Sequence, residues 1–215
     1  MPLSAWIRRS GSVSAAIAIL AGCAGPTVDR ASIPPDRPIL VRPGRSGFVV
    51  AAPADHDAAA TAIAREVAEH TGFGLVVAAR PSSDDTLGTL AAAYERAVGE
   101  AARGPLRFFV EIRESDRPPC AGRMEIATTG VDAELAVRLR ALAELIRDAH
   151  LRVNPEVARL TVVVDAGAGV DGAALRPERA LRIELPPCAR RDWREMYGAV
   201  LADFVAEAAA LPAGR

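Results

Sequence analysis

The chain has no lysine: all 26 of its basic residues are arginines, set against 27 acids and three histidines. The formal net charge is −1 at pH 7, so there is no basic excess to hold a phosphate backbone, and no nucleic-acid partner is expected. A GC-rich coding sequence accounts for arginine without lysine, so the bias by itself does not call for bidentate contacts. Histidine and cysteine are scarce, at three each. Only His56 falls near a predicted strand end, while His70 and His150 each close a predicted helix, where a partly protonated ring suits the carbonyl end. No serine, cysteine and histidine come together at the strand ends, so a nucleophilic triad is not expected. The apolar stretch Val13–Leu20 is too short to span a bilayer, which needs about 20 residues.

What that stretch does fit is export. Arg8 and Arg9 precede it, and it runs into Leu20-Ala21-Gly22-Cys23, small residues leading into a cysteine. This resembles a bacterial lipoprotein signal, with residues 1–22 removed and Cys23 acylated. Ala24, rather than aspartate, next to that cysteine implies outer-membrane sorting, facing the periplasm. Cleavage leaves 24 arginines against 27 acids, a net charge of −3, on 193 residues from Cys23 onward. That is enough for one domain with a real core. Cys120 and Cys188 remain, each within Pro-Pro-Cys-Ala, in a compartment that permits disulfides. They either pair, closing a loop for about 4 kcal/mol, or stay as two buried thiols, since spacing does not show proximity.

Residues 23–44 carry the lipid-bearing cysteine and a proline-rich tether. A single domain is expected over 45–210, followed by a short tail at 211–215. Within it, apolar runs predict strands at 48–52, 73–79, 106–112, 123–128, 160–165 and 181–185. Helical spacing predicts helices at 55–71, 89–103, 132–150 and 191–210. In the third helix Leu135, Leu139, Leu142, Leu145 and Ile146 carry the period. In the last, Trp193, Met196, Tyr197, Val200, Leu201, Phe204 and Val205 form the core-facing stripe. Strands alternating with helices imply an α/β fold with a mostly parallel sheet and helices on both faces, three layers in all. Ligands in such sheets bind beyond the carboxyl ends of the strands. Gly167 to Gly172 matches G-x-G-x-x-G after a predicted strand, but Pro177 arrives too soon for the helix a dinucleotide needs, so no nucleotide is expected.

Taken in order, FVVAAPADHD, TAIAREVAEHTGFGLVVA, LRFFVEIRES, LRIELP and the long terminal helix resemble the N-formylglutamate amidohydrolase-like family. The resemblance implies a zinc-carboxypeptidase-like α/β fold and hydrolysis of C–N amide bonds. It places Pro53 in the box at the end of the first strand, where Ala54 occupies the metal histidine's position and Asp55 and His56 follow. Glu111 takes the acid of a middle motif whose histidine is replaced by Arg113, and Glu184 takes the late catalytic glutamate. Arg80 opens a shortened version of the segment that grips a substrate carboxylate.

A catalytic zinc needs three convergent donors and an open water position, usually with two imidazoles among the donors. Arginine has no lone pair to offer and carries a fixed positive charge. An ion pair of Arg113 with Glu111 or Glu184 therefore suits that space better than zinc. The preferred reading is an anchored periplasmic domain with no resident metal. It would bind a small acidic ligand near Arg80, Glu111 and Arg113, or a periplasmic protein partner, or serve as a scaffold. The alternative is a zinc-dependent amidohydrolase with a shifted site of His56, Asp55 and Glu184.

Overall fold

A computed structural model describes residues 39–53, 58–78, 87–115, 123–153, 161–165, 175–186 and 193–212. The elements run β1 (Leu40–Arg42), β2 (Arg45–Pro53), α1 (Ala58–Thr71), β3 (Phe73–Ala78), α2 (Leu87–Ala102), β4 (Phe108–Glu114) and β5 (Arg123–Thr129). They continue with α3 (Ala133–Val153), β6 (Thr161–Asp165), β7 (Arg179–Leu185) and α4 (Arg194–Ala210). All six predicted strands and four predicted helices are present. The additional strand is β1, which corrects the tether reading over 23–44: its last residues belong to the sheet edge, antiparallel to β3. Its LVR is too short to show a period, so only pairing reveals it.

The seven strands lie in the order β1-β3-β2-β4-β7-β5-β6. The four central ones, β3, β2, β4 and β7, are mutually parallel, while β5 meets β7 antiparallel and β6 follows β5 in parallel. This is the expected α/β architecture, with helices on both faces. Strand alternation sorts the side chains into two layers. Phe48, Val50 and Ala52 of β2 join Phe108, Val110 and Ile112 of β4 in the core beneath α1, α3 and α4. Val49, Ala51 and Phe109 turn to the other layer, where α2 packs through Ala97, Val98 and Ala101. Two-sided burial explains why these strands read as unbroken apolar runs.

Local chemistry sets the helix ends. Thr71 donates its hydroxyl to the Val67 carbonyl at 2.7 Å, and Gly72, at φ 69°, makes the left-handed turn that releases the chain into β3. Asp132 caps α3 by accepting from the Leu135 amide at 2.8 Å. The stripe on α4 is core as expected, with Leu201, Phe204 and Val205 fully buried. On α3 the residues that carry the period divide between two faces. Leu135 and Leu139 are buried, but Leu145 is 63% exposed, because it stands about 100° round the helix from Ile146. Among the described residues no helix is long and apolar enough to cross a membrane.

The amino-terminal edge of the central strands is aromatic. Phe48 lies 5.0 Å from Phe73 and 6.3 Å from Phe108, centroid to centroid. The Arg45 guanidinium stands 4.3 Å over Phe48 and that of Arg179 5.3 Å over Phe108, in the attractive range for a cation on a ring face. Arg179 also donates to the carbonyls of Ala208 and Ala209 at 3.4 and 3.3 Å, closing the carboxyl end of α4.

Two close approaches give testable consequences. A methyl group at Gly74 would run into the Ala101 carbonyl of α2, so Gly74→Ala is expected to cost about 1–3 kcal/mol of stability, measured by urea unfolding. At the α1–α4 contact the Glu66 carboxylate lies against Gly198. Burial raises the Glu66 pKa above the ordinary 4.5, with Arg194 opposing. A carboxyl whose pKa rises on folding binds more protons in the native state, so stability falls as pH climbs through and above 4.5. Glu66→Gln is therefore expected to raise the urea midpoint at pH 7 and to lose that advantage below the ordinary carboxylate range.

Candidate functional site

The carboxyl ends of β4 and β7 carry alternating sequences, F-F-V-E-I-R-E and R-A-L-R-I-E-L. In β4 the even positions face the α1 side, so Glu111 and Arg113 share the opposite face with Phe109. In β7 the same alternation sends Arg182 and Glu184 to that face, beyond Ala180. The parallel register sets Glu111 beside Arg182 and Arg113 beside Glu184. Each acid thus neighbours an arginine both along its strand and across the ladder, the favourable arrangement of cross-strand charges.

Within this square the tightest contact is Arg113 Nη2 to Glu111 Oε2 at 2.6 Å, with both side chains one-tenth exposed. Arg182 Nε lies 3.7 Å from Glu184 Oε1, and Glu184 is the more open acid, with its side chain 28% exposed. The antiparallel joint to β5 brings Glu125 directly opposite Glu184, so two like charges stand side by side next to the arginines. From α2 the Tyr94 phenol faces the same ions. Its pKa is held well above the ordinary range, first by burial and then by the Glu111 carboxylate, with Arg113 acting in the opposite direction. Glu114 turns to the other layer and accepts a 3.3 Å bond from the Ala60 amide in the first turn of α1, where a negative charge suits the helix dipole.

Three of the sequence-identified residues, Glu111, Arg113 and Glu184, therefore meet on one face of the sheet. The strand assignment is corrected by two residues: β4 ends at Glu114 rather than Ile112, because its ladder with β7 continues through Arg113 and Glu114. Glu111 and Arg113 lie inside the strand, not in a loop beyond it. His56, Asp55, Arg80, Cys120, Cys188 and Cys23 fall outside the described residues, as does the glycine-rich segment at 167–172. Arg182, Glu125 and Tyr94 were not singled out from the sequence. Arg182 was within reach, since it stands two residues before Glu184 on the same face. Glu125 needed the antiparallel register, and Tyr94 needed the seating of α2.

Among the described residues, the donors around the ionic square do not suit a catalytic zinc. Around the ionic square the described side chains offer carboxylates already beside guanidinium groups and no imidazole, whereas zinc sites draw on neutral nitrogen or thiolate donors. Among the described residues no group of three or more histidine, cysteine, aspartate or glutamate side chains is arranged to hold a metal. His70 and His150 lie in the last turns of α1 and α3, as expected. They converge on Asp203 of α4, with Nε2 to carboxylate distances of 3.4 and 2.9 Å. That cluster ties three helices together under the other layer.

No protein-family model matches the chain, and no curated protein does. Similar solved structures include a bacteriophage poly-gamma-glutamate hydrolase, 14% identical over 81% of this chain and 88% of that one, with a TM-score of 0.48. They include the N-acetylmuramoyl-L-alanine amidase AmiC2 of Nostoc punctiforme, at 17% identity, 78% and 97% coverage and a TM-score of 0.40. A metallo-carboxypeptidase from Burkholderia cenocepacia is 10% identical over 79% of this chain and 60% of that one, with a TM-score of 0.39. The likeness lies in the α/β course of the chain and goes no further.

A buried ion pair punishes removal of one partner more than removal of both. Arg113→Met is expected to cost about 3 kcal/mol in urea unfolding by leaving the Glu111 carboxylate without its 2.6 Å partner. The double variant Glu111→Leu with Arg113→Met should recover most of that loss.

Proposed function

We propose that this chain is an envelope-anchored domain of amidohydrolase-like ancestry in which an ion pair has taken the place of the metal centre, and that it works as a binding or scaffold module. The supporting observation is the Arg113–Glu111 contact at 2.6 Å. Arg113 stands where the family resemblance expects a second metal histidine, and its guanidinium engages the acid of the same motif. A fixed cation in that position repels a divalent ion and supplies no lone pair. The role proposed for the remaining strand-end groups, Arg80 and Glu184 with Arg113, is recognition of a small acidic ligand or of a periplasmic protein partner. The Leu20–Cys23 box supports attachment through a lipid on Cys23, most simply at the outer membrane.

Metal content and amide cleavage test this directly. The purified chain is expected to hold far less than one zinc per molecule and to show no amide cleavage that a chelator stops. Stoichiometric zinc with chelator-sensitive cleavage would overturn the reading in favour of a hydrolase with a shifted site of His56, Asp55 and Glu184. Retention of a glutamate-like dicarboxylate that disappears in Arg113→Gln would support the ligand-binding form of the proposal.

A further inference from the structure

α3 has two unlike faces. Leu135 and Leu139 anchor it in the core, while Val137 and Leu145 on its outer side are 64% and 63% exposed. Leu40 apart, these are the only large apolar side chains exposed among the described residues. Ala141, also exposed, lies midway between them, and a spacing of four puts Val137, Ala141 and Leu145 in one row along the helix. Scattered exposed apolar residues need no explanation, but a row on one rigid helix does.

The ends of the row say what covers it. Glu134 and Arg138 flank it on the amino-terminal side and Asp148 and Arg152 on the carboxyl-terminal side, all four exposed. Glu134 and Arg152 are 18 residues apart, five whole turns, so they share one line on the helix. Arg152 Nε donates to the Asp148 carbonyl at 3.3 Å, which holds its stem along the helix. A like helix laid parallel would set acid against acid and arginine against arginine. Laid antiparallel, it sets each Glu134 against an Arg152 and each Arg138 against an Asp148, with Ala141 and Leu145 at the centre. The surface is thus complementary to itself, the requirement for a twofold contact in which both copies use the same patch.

We propose that α3 docks a second copy of this chain, the two helices lying antiparallel over Val137, Ala141 and Leu145, with Glu134 of each copy facing Arg152 of the other.

Sedimentation equilibrium of the full chain in detergent solution tests this over a range of concentrations. A reversible monomer–dimer equilibrium is expected, with Leu145→Glu weakening it by at least about tenfold while leaving the thermal unfolding transition in place. Glu134→Arg alone should weaken association, and Glu134→Arg combined with Arg152→Glu should restore it, because the swap rebuilds both end pairs. A chain that stays monomeric at every concentration overturns the proposal, whether or not another protein then proves to cover the face. So does a dimer indifferent to Leu145→Glu, or one that the double charge swap fails to restore.

Discussion

Burial of the central strands on both faces is the constraint from which the rest of the structure follows. A parallel strand with helices above and below has no solvent side on which to place polar groups. Over most of their length β2, β3 and β4 comply, carrying Val49, Val50, Val76 and Val110 with no exposure at all. Apart from Arg45 and Arg179 at the amino-terminal edge, charge enters toward the carboxyl ends of β4 and β7, beneath Tyr94 of α2. There the alternation that elsewhere divides one apolar layer from another leaves Glu111, Arg113, Arg182 and Glu184 on a single face. Four charges at so buried a position hold together because register places opposite signs next to each other in both directions.

The two ends of the sheet accordingly do different work. At the amino-terminal edge Phe48, Phe73 and Phe108 pack ring to ring, and Arg45 and Arg179 lie over two of them. Those arginines use flat, weakly hydrated guanidinium faces against carbon, which lysine does less well. At the carboxyl edge the same residue type is used for its charge. In a chain without lysine, Arg179 and Arg113 show how one side chain serves both a packing role and an ionic one.

Much of this was legible in the sequence. The apolar runs at 48–52 and 73–79 and the stripe on the terminal helix gave strands and helix in the right places, because period and composition are local properties. Glu111, Arg113 and Glu184 come from the motif resemblance, and the register sets them on one face of the sheet. Arg113 was expected to pair with Glu111 or Glu184, and its 2.6 Å contact is with Glu111. What was not legible is equally particular. Leu145 belongs to the leucine-rich period of α3, yet it stands on the outer side of the helix, which the spacing alone does not show. His70 and His150 were read one helix at a time, and their shared partner, Asp203, sits more than fifty residues from His150.

The sequence by itself determined which segments, β1 apart, are strands and helices, and where several of them stop. Those are matters of residue type and of neighbours a few positions away. Only the tertiary structure decided that β4 lies beside β7, that Glu125 stands opposite Glu184, that Tyr94 looks down on Glu111, and that two histidines share one aspartate. Such pairings depend on register and helix seating, which are set by burial summed over the whole sheet. No short stretch of chain carries that sum.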